Sequence, residues 1–289
     1  MEKSIFRLLK SYFKNSLTIK RFYKEYKSDQ PVYDRRVEDD FKNLSFFQKI
    51  EKVYCTYRDE CKLFIHETLQ KYSIYPNKFT VNEIDIVWKF DGSQKSLDQW
   101  IVNSDSDYGH GYSSAKLELS SHGYGIFHGI LNTTPVKDGK TTDSGYCNIT
   151  TVPKFKSFYR IDKYDWIEYN EIVLRIRGDG RTYMLNILQK NLKFNEVNNY
   201  IYHYFMYTRG GPYWQIVRIP FSKFVICNKG QINENQYPLV NNTVTNFGIT
   251  IADKISGPFK LEIDYIGVCY NTNISENFAY ETYEVNRNE

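Results

Sequence analysis

At residues 171–188 the chain reads E-I-V-L-R-I-R-G-D-G-R-T-Y-M-L-N-I-L, and this stretch guides the interpretation of everything around it. Two runs of strand-forming residues flank Asp179-Gly180, a dipeptide typical of two-residue hairpin loops because glycine adopts positive φ easily. With that loop, alternate apolar residues of the two runs would pair on one buried face. The predicted pairs are Ile176 with Tyr183, Leu174 with Leu185 and Ile172 with Ile187. We therefore predict a β-hairpin with Gly178, Asp179 and Gly180 as its structural turn.

The chain from residue 84 onward continues the same β pattern. Apolar residues recur with period 2 in short segments, and loops rich in Gly, Asn and Ser separate these segments. The candidate strands are 84–90, 97–103, 114–121, 124–131, 145–152, 171–177, 182–188, 199–207, 214–219, 246–252 and 259–268. Helical patterns do not alternate with them, so we predict an all-β fold with antiparallel sheets, a sandwich or jelly roll.

The last strand and the segment after it mark the end of this β region. In the strand, alternate side chains should point to one face, namely Phe259, Leu261, Ile263 and Tyr265. Residues 271–289 are polar and show no period, which is typical of a loose C-terminal tail.

The N-terminal part of the chain has a different character. Residues 1–27 carry eight basic and two acidic residues in a basic, amphipathic pattern typical of a mitochondrial targeting peptide. The alternative is a surface helix that binds an anionic membrane or a partner. Residues 28–83 form a charged linker followed by an amphipathic helix over 41–72. The apolar stripe of that helix fits either packing against its own domain or docking onto another protein.

The charge distribution argues against a nucleic-acid partner. The whole chain carries +4 and residues 1–27 alone carry +6, so the other 262 residues carry −2. Such a body lacks the basic face that nucleic acids require. The five cysteines are odd in number and contain no CxxC pair, which predicts reduced thiols and no zinc site.

No residue set in the chain forms a persuasive catalytic constellation. Asp105 and Asp107 resemble a calcium loop, but the later glutamate is missing, so we predict that an aspartate caps the backbone amides of a turn here. His110, His122 and His128 lie close in sequence without a fixed metal-ligand spacing. We therefore predict no catalytic residue, no metal site and no cofactor.

Seven sequence blocks occur in order between residues 84 and 270. They are W-K-F-D at 88–91, S-D-S-D at 104–107, G-I-F-H-G at 125–129, S-G-Y-C-N-I at 144–149, R-I-R-G-D-G-R-T-Y at 175–183, W-Q-I-V-R-I-P-F-S-K-F at 214–224 and G-I-T-I-A-D-K-I-S-G-P-F-K-L-E-I-D-Y-I at 248–266. Over this range the chain is similar to the complex I intermediate-associated protein 30 family. One departure is His110, where the family more often has paired glycines.

The resemblance implies a galactose-binding-like jelly-roll β-sandwich over 84–270, preceded by a helical extension. It also implies a mitochondrial assembly factor for respiratory complex I, which binds membrane-arm intermediates on the matrix side of the inner membrane. Other assembly factors, including one related to acyl-CoA dehydrogenases, are the implied partners. The family has no established catalytic residues, so the resemblance implies no enzyme activity, no cofactor and no small-molecule substrate.

A chaperone-like scaffold of this kind would hold its partner by surface complementarity. We expect a partner-binding patch at Arg175, Arg177 and Arg181, on or beside the non-core face of the hairpin, with Trp214 as an aromatic anchor. Arg177→Ala should then fold normally but lose its partners. A carbohydrate-binding β-sandwich module is the alternative function. A third possibility, a nucleotide-binding accessory enzyme, lacks a phosphate loop in the sequence.

Overall fold

A computed structural model describes residues 46–72, 81–137, 144–193, 196–228, 231–233 and 236–274. The chain divides into two compact units, Met1–Tyr72 and Ser73–Glu289. The predicted targeting peptide over 1–27, most of the linker and most of the C-terminal tail lie outside the described residues. None of the described helices is both long enough and apolar enough to cross a membrane.

The described residues of the first unit form a long helix, α1, over Phe46–Tyr72. Its sequence repeats apolar residues at helical spacing, which agrees with the predicted helix over 41–72 in its described part. Several of its large apolar side chains are exposed, among them Tyr54, Leu63 and Phe64, which point in different directions around the helix axis. The helix therefore presents apolar surface along more than one side.

The second unit is built almost entirely of antiparallel strands. Its strands are β1 Ile84–Lys89, β2 Trp100–Ser104, β3 Ser114–Leu119, β4 Gly125–Leu131, β5 Cys147–Thr151, β6 Phe155–Lys156, β7 Arg160–Ile161, β8 Glu171–Arg177, β9 Thr182–Lys193, β10 Glu196–Tyr207, β11 Gln215–Pro220, β12 Val225–Asn228, β13 Gln231–Ile232, β14 Val244–Ile251 and β15 Gly257–Cys269. A short helix, α2, covers Gln94–Leu97, where the sequence predicted the start of a strand.

Two of the sheets form the layers of a sandwich. The first sheet has the order β11-β8-β15-β4-β3, and β1 also pairs with β15 beyond the end of β4. The second sheet has the order β13-β12-β10-β9-β14-β5-β2. Strands β6 and β7 form a separate two-stranded ribbon. The predicted all-β jelly-roll sandwich is confirmed by these sheets.

The predicted hairpin over 171–188 is wrong. Strand β8 pairs with β11 and β15 in the first sheet, whereas β9 pairs with β10 and β14 in the second sheet. The four residues 178–181 therefore form an arch that carries the chain from one layer to the other. The expected partner of Ile176 was Tyr183, but its neighbours within the sheet are Ile263 and Gln215.

The arch still buries the residues that the hairpin was expected to bury. The inward residues of β8 are Ile172, Leu174 and Ile176, and those of β9 are Tyr183, Leu185 and Ile187; all six are completely buried. In an arch these two rows face each other across the core, while in a hairpin they would lie side by side. Period-2 alternation specifies the buried face of a strand but not the strand beside it.

The turn residues of the arch make contacts that fix its path. Gly180 has a φ of 92°, a value that favours glycine, and its amide donates to Thr208 Oγ1 at 3.0 Å. A Cβ added at Gly178 would lie 2.3 Å from Thr208 Cβ, so a side chain there would clash. Asp179 accepts hydrogen bonds from the amides of Arg181 and Lys260, at 3.0 and 2.7 Å.

Aromatic side chains fill much of the core between the sheets. Trp88 is 2% exposed, and its ring centroid lies 5.1 Å from that of Tyr164 and 5.5 Å from that of Phe247. Trp100 and Trp166 lie about as close, at 6.0 and 6.1 Å. These rings are tilted, edge-on or offset, and such arrangements add to the gain from burial. We call Trp88, Trp100, Tyr164, Trp166 and Phe247 the aromatic cluster.

A register shift in β15 changes which of its residues face the core. The pairing with β8 shifts between Ile263 and Tyr265, so that Asp264 is the extra residue of a bulge. Tyr265, which the sequence placed on the core face, is only partly buried. Ile266 and Val268 occupy the core instead.

The five cysteines are all free thiols, as the sequence predicted. Three of them, Cys147, Cys227 and Cys269, are buried in the sandwich. Burial raises the pKa of Cys147 to about 12, so its thiol stays protonated and unreactive at physiological pH.

Candidate functional site

Arg175 and Arg177 lie on the outer face of the first sheet, and each forms an ion pair with an acid of β15. Arg175 pairs with Asp264, and Arg177 pairs with Glu262, where its Nε donates to Oε2 at 3.0 Å. Lys260 Nζ lies 2.8 Å from the other carboxylate oxygen of Glu262. The carboxylates are largely buried, with 10% exposure for Asp264 and 7% for Glu262.

The ionised form of Glu262 is favoured by these contacts. Burial raises the pKa of a carboxyl group, but hydrogen bonds from Lys260 and Arg177 outweigh this effect and lower the pKa of Glu262. Arg177→Ala would leave this buried carboxylate with Lys260 as its remaining cation. That variant would therefore disturb the sheet as well as the surface, contrary to the expectation of normal folding.

Trp214 lies against both arginines. The guanidinium carbons of Arg175 and Arg177 are 5.0 and 5.1 Å from the centroid of its ring, which is cation–π distance. On its other side Trp214 contacts Tyr124, with ring centroids 4.7 Å apart. The structure thus brings together three of the four residues expected in the partner-binding patch. We call Arg175, Arg177, Trp214, Glu262 and Asp264 the arginine–tryptophan cluster.

Exposed apolar side chains adjoin the arginine–tryptophan cluster. Ile216 on the edge strand β11 lies directly opposite Arg175 and is 57% exposed. Tyr213, next to Trp214 in sequence, is also highly exposed. A shallow depression of about 300 Å³ lies beside them. It is lined by Arg177, Gly178, Asp179, Gly211, Pro212, Lys260 and Glu262.

Arg181, the fourth residue expected in the patch, is turned away from the cluster. Its guanidinium grips Asp253 with two bonds, from Nε to Oδ2 at 2.8 Å and from Nη2 to Oδ1 at 2.5 Å. It also donates to the carbonyls of Ile255, Gly257 and Pro258. The hydrogen bond to Asp253 raises the pKa of Arg181. With 13% side-chain exposure, Arg181 fastens the arch to the loop before β15.

The acidic loop at Asp105 has a structural role. Asp105 is completely buried and accepts hydrogen bonds from the amides of Ser113 and Gly145, at 2.8 and 2.7 Å. Asp107 accepts from the amide of Ser104 at 2.7 Å. The predicted capping of backbone amides is confirmed. Within the described ranges, no group of three or more His, Cys, Asp or Glu side chains is placed to hold a metal ion.

The outer face of the second sheet carries a feature that the sequence analysis missed. A chain of side-chain hydrogen bonds crosses four adjacent strands: β10, β9, β14 and β5. His203 Nδ1 donates to Asn186 Oδ1 at 2.6 Å, and Asn186 Nδ2 donates to Thr250 Oγ1 at 2.7 Å. Thr250 Oγ1 in turn donates to Asn148 Oδ1 at 3.0 Å, and Asn148 Nδ2 donates to Thr150 Oγ1 at 2.7 Å. We call these five residues the polar ladder.

The polar ladder could be found in the sequence only one strand at a time. Asn148 and Thr150 alternate with buried residues of β5, and Thr250 alternates with Ile249 and Ile251 in β14. Such alternation predicts an outward polar face in each strand. These polar residues come together only in the observed strand order, and the predicted hairpin had paired β9 with β8 instead of with β10 and β14.

His203 should make the stability of the protein depend on pH. Burial lowers the pKa of His203 from 6.5 to about 4, so the folded state binds its proton less readily than the unfolded state does. Stability is therefore full above pH 6.5, and it falls as the pH drops from about 6.5 to about 4, by up to about 1.4 kcal/mol per pH unit. Urea unfolding at several pH values measures this loss. His203→Gln should flatten the curve in that window, and an unchanged slope would contradict the assignment.

Comparisons with known proteins agree on one family. The model of the complex I intermediate-associated protein 30 family matches residues 88–263, from the end of β1 into β15. A Drosophila melanogaster relative, "Complex I intermediate-associated protein 30, mitochondrial", is 44% identical over 230 residues, which cover 78% of this chain and 77% of the relative. A Mus musculus relative of the same name is 45% identical over 198 residues, which cover 68% of this chain and 59% of the relative.

A solved structure with a similar outline is the Family 11 carbohydrate-binding module of the cellulase Lic26A-Cel5E from Clostridium thermocellum. It has a TM-score of 0.46 and 18% sequence identity, and the match covers 66% of this chain and 96% of the module. The family match spans more than half of the chain and both layers of the sandwich. The chain therefore belongs to the complex I intermediate-associated protein 30 family.

Proposed function

We propose that this protein is a non-catalytic mitochondrial assembly factor for respiratory complex I. The observation that carries the proposal is the family match over 88–263, supported by two animal relatives whose names place them in mitochondria. The basic, amphipathic composition of residues 1–27 supports delivery to the matrix. In this proposal the protein acts at the matrix side of the inner membrane and holds membrane-arm intermediates.

The arginine–tryptophan cluster is the surface that we assign to partner binding. Interfaces between proteins are enriched in Trp, Tyr and Arg, and their strongest contacts are aromatic or arginine side chains surrounded by apolar neighbours. Trp214 and its two arginines fit this description, with Ile216 and Tyr213 exposed beside them. The ion pairs to β15 hold the arginines in place before a partner arrives, which reduces the entropy lost on binding.

The proposed partners are complex I assembly intermediates and other assembly factors, including an acyl-CoA-dehydrogenase-like factor. The surface supports a protein partner because it mixes cations, anions and apolar side chains over a broad, shallow area. Arg181 contributes indirectly, since it fixes the arch from which Arg177 emerges. We therefore assign Arg181 to positioning and the remaining three residues to contact.

Ile216→Glu tests the partner surface with little risk to the fold. Ile216 is 57% exposed on an edge strand, so the change should alter the free energy of unfolding by less than about 0.5 kcal/mol. It introduces a charge directly beside Arg175 in the assigned interface, and we expect recovery of membrane-arm subunits with the tagged protein to fall at least tenfold. The measurement is affinity purification from mitochondria with quantitative mass spectrometry.

A matched control is Ile167→Glu, since Ile167 is 62% exposed and lies in the loop between β7 and β8, whereas Ile216 is paired with Arg175 of the cluster. This variant should recover partners as the unmodified protein does. Equal recovery with Ile216→Glu and Ile167→Glu would exclude the arginine–tryptophan cluster as the interface. Normal complex I assembly in cells that lack the protein would contradict the proposed function itself.

A further inference from the structure

The polar ladder is the feature of the second sheet that the assembly role does not use. All five of its side chains are neutral, since burial keeps His203 unprotonated at physiological pH. Three of them, Asn186, His203 and Thr250, are less than 10% exposed although they lie on the outer face of the sheet. A surface that served only to face water would not need its polar groups linked and held in this way.

The hydrogen bonds of the polar ladder all run in one direction. In the three bonds between strands the donor lies nearer to β10 and the acceptor nearer to β5, and within β5 Asn148 donates to Thr150. Such a chain polarises its members cooperatively. At the β10 end of the ladder, His203 Nε2 can accept a hydrogen bond and makes none within the described part of the chain. At the β5 end, the hydroxyl of Thr150 accepts from Asn148, and its own proton remains free to donate.

Gly248 makes room for this chain of hydrogen bonds. Gly248 lies opposite both Asn186 and Thr150, so the outer face has no side chain at that point. A Cβ there would lie 3.0 Å from Thr150 Oγ1 and 3.4 Å from Asn148 Oδ1. The side chains of Thr150 and Asn148 thus close over Gly248, and the lack of a side chain there lets these polar groups lie against the backbone of β14.

Apolar side chains lie beside the β10 end of the polar ladder. Phe205 and Tyr207 follow His203 at alternate positions of β10 and are 47% and 76% exposed. Met184, opposite Phe205, adds an apolar contact. An exposed aromatic ring next to fixed amide and hydroxyl groups offers stacking for a ring and hydrogen bonds for its substituents.

We propose that the polar ladder binds a neutral, hydroxyl-rich ligand of the saccharide class, which lies across the strands. Hydroxyl groups both donate and accept, so they match the acceptor at His203 and the donor at Thr150. The ladder spans three strand spacings, about 14 Å, which suits a short oligosaccharide. This inference is independent of the proposed assembly role and departs from the expectation that the protein has no small-molecule ligand.

Other ligand classes fit the polar ladder less well. An anionic or cationic ligand would meet no opposite charge among its five side chains. A peptide that adds a strand needs a free sheet edge, whereas the ladder runs across β9 and β14, which are both paired on two sides. The five side chains are neutral and the ladder runs across the strands, and both features favour a saccharide over a charged ligand or a peptide.

The test is calorimetric titration of the full-length protein with cellotetraose, laminaritetraose and maltotetraose. We expect at least one of them to bind with a Kd of about 1 mM or below. Thr150→Val, which removes the donor at one end at nearly constant shape, should weaken that binding at least tenfold. Phe205→Ala should weaken it to a similar extent through the lost stacking surface. Phe155→Ala is the matched control, because Phe155 is 41% exposed and belongs to β6.

The outcomes separate clearly. Absence of binding by all three tetrasaccharides at about 10 mM would overturn the proposal. It would also be overturned if binding persisted unchanged in both Thr150→Val and Phe205→Ala, or if tetragalacturonate, which is charged, bound equally well. Partner recovery by the Thr150→Val variant should stay normal, so that failure of this inference and failure of the assembly role are distinguishable.

Discussion

Replacing Arg181 with alanine is expected to lower the free energy of unfolding by about 3–5 kcal/mol. The guanidinium makes a two-bond ion pair with Asp253, whose side chain is 8% exposed. It also donates to the carbonyl of Ile255 in the loop before β15 and to two carbonyls at the start of β15. Loss of the guanidinium leaves the buried carboxylate of Asp253 without a counter-charge. The free-energy penalty of this unpaired charge is larger than the net stabilisation that the ion pair contributes. Urea unfolding monitored by tryptophan fluorescence measures the change.

Arg209→Ala provides the control for Arg181→Ala. Arg209 is an exposed arginine near the same arch, and its removal should change stability by less than about 0.5 kcal/mol. Arg181→Lys should fall between the two, because lysine keeps the charge but not the planar fork. If Arg181→Ala unfolded at the same urea concentration as Arg209→Ala, the clamp between the arch and the loop would have no energetic role.

Trp88→Ala is expected to cost about 3–5 kcal/mol, comparable with the loss of Arg181. Trp88 is 2% exposed and contacts all four other members of the aromatic cluster. The substitution removes its buried surface and leaves a cavity among large, rigid rings that cannot collapse to fill it. Thermal unfolding by calorimetry would record the change as a large decrease in Tm.

Trp88→Phe is the matched comparison, since it keeps an aromatic ring within the cluster and should lose less than half as much stability. Trp214→Ala, outside this cluster, should alter partner recovery more than Tm. A Trp88→Ala protein with nearly unchanged Tm would show that the aromatic cluster is loosely packed and that the sandwich is held elsewhere.

The sequence predicted the β-sandwich and its buried residues well because both follow from local alternation. All eleven predicted strands correspond to strands of the structure, with ends that agree to within five residues, namely β1, β2, β3, β4, β5, β8, β9, β10, β11, β14 and β15. The missing information was the pairing of strands. Asp179-Gly180 favours a tight turn whether the chain returns beside itself or crosses to the other layer, so the dipeptide did not distinguish a hairpin from an arch.

The candidate site was predicted only in part, because alternation gives the face of each residue but not the pairing of the strands. Alternation placed Arg175 and Arg177 on an outer face of the hairpin, and Trp214 was expected as an aromatic anchor. Because the hairpin was predicted wrongly, Arg181 was assigned to the same patch, whereas in the structure it pairs with Asp253. The polar ladder joins three parts of the chain, β5, the consecutive strands β9 and β10, and β14, so no local pattern could reveal it.

The position of β15 has a consequence for how the protein is made. This last strand pairs with β1, β4 and β8, so it is the common neighbour around which the first layer is completed. In a growing chain, the edges of those three strands that pair with β15 stay unpaired until residues 257–269 have been synthesised. Pairing between strands that are far apart in sequence is intrinsically slow. A premature stop codon before residue 257 would therefore leave this sheet as two separate pairs, β11 with β8 and β4 with β3, and would remove the strand with which β1 pairs.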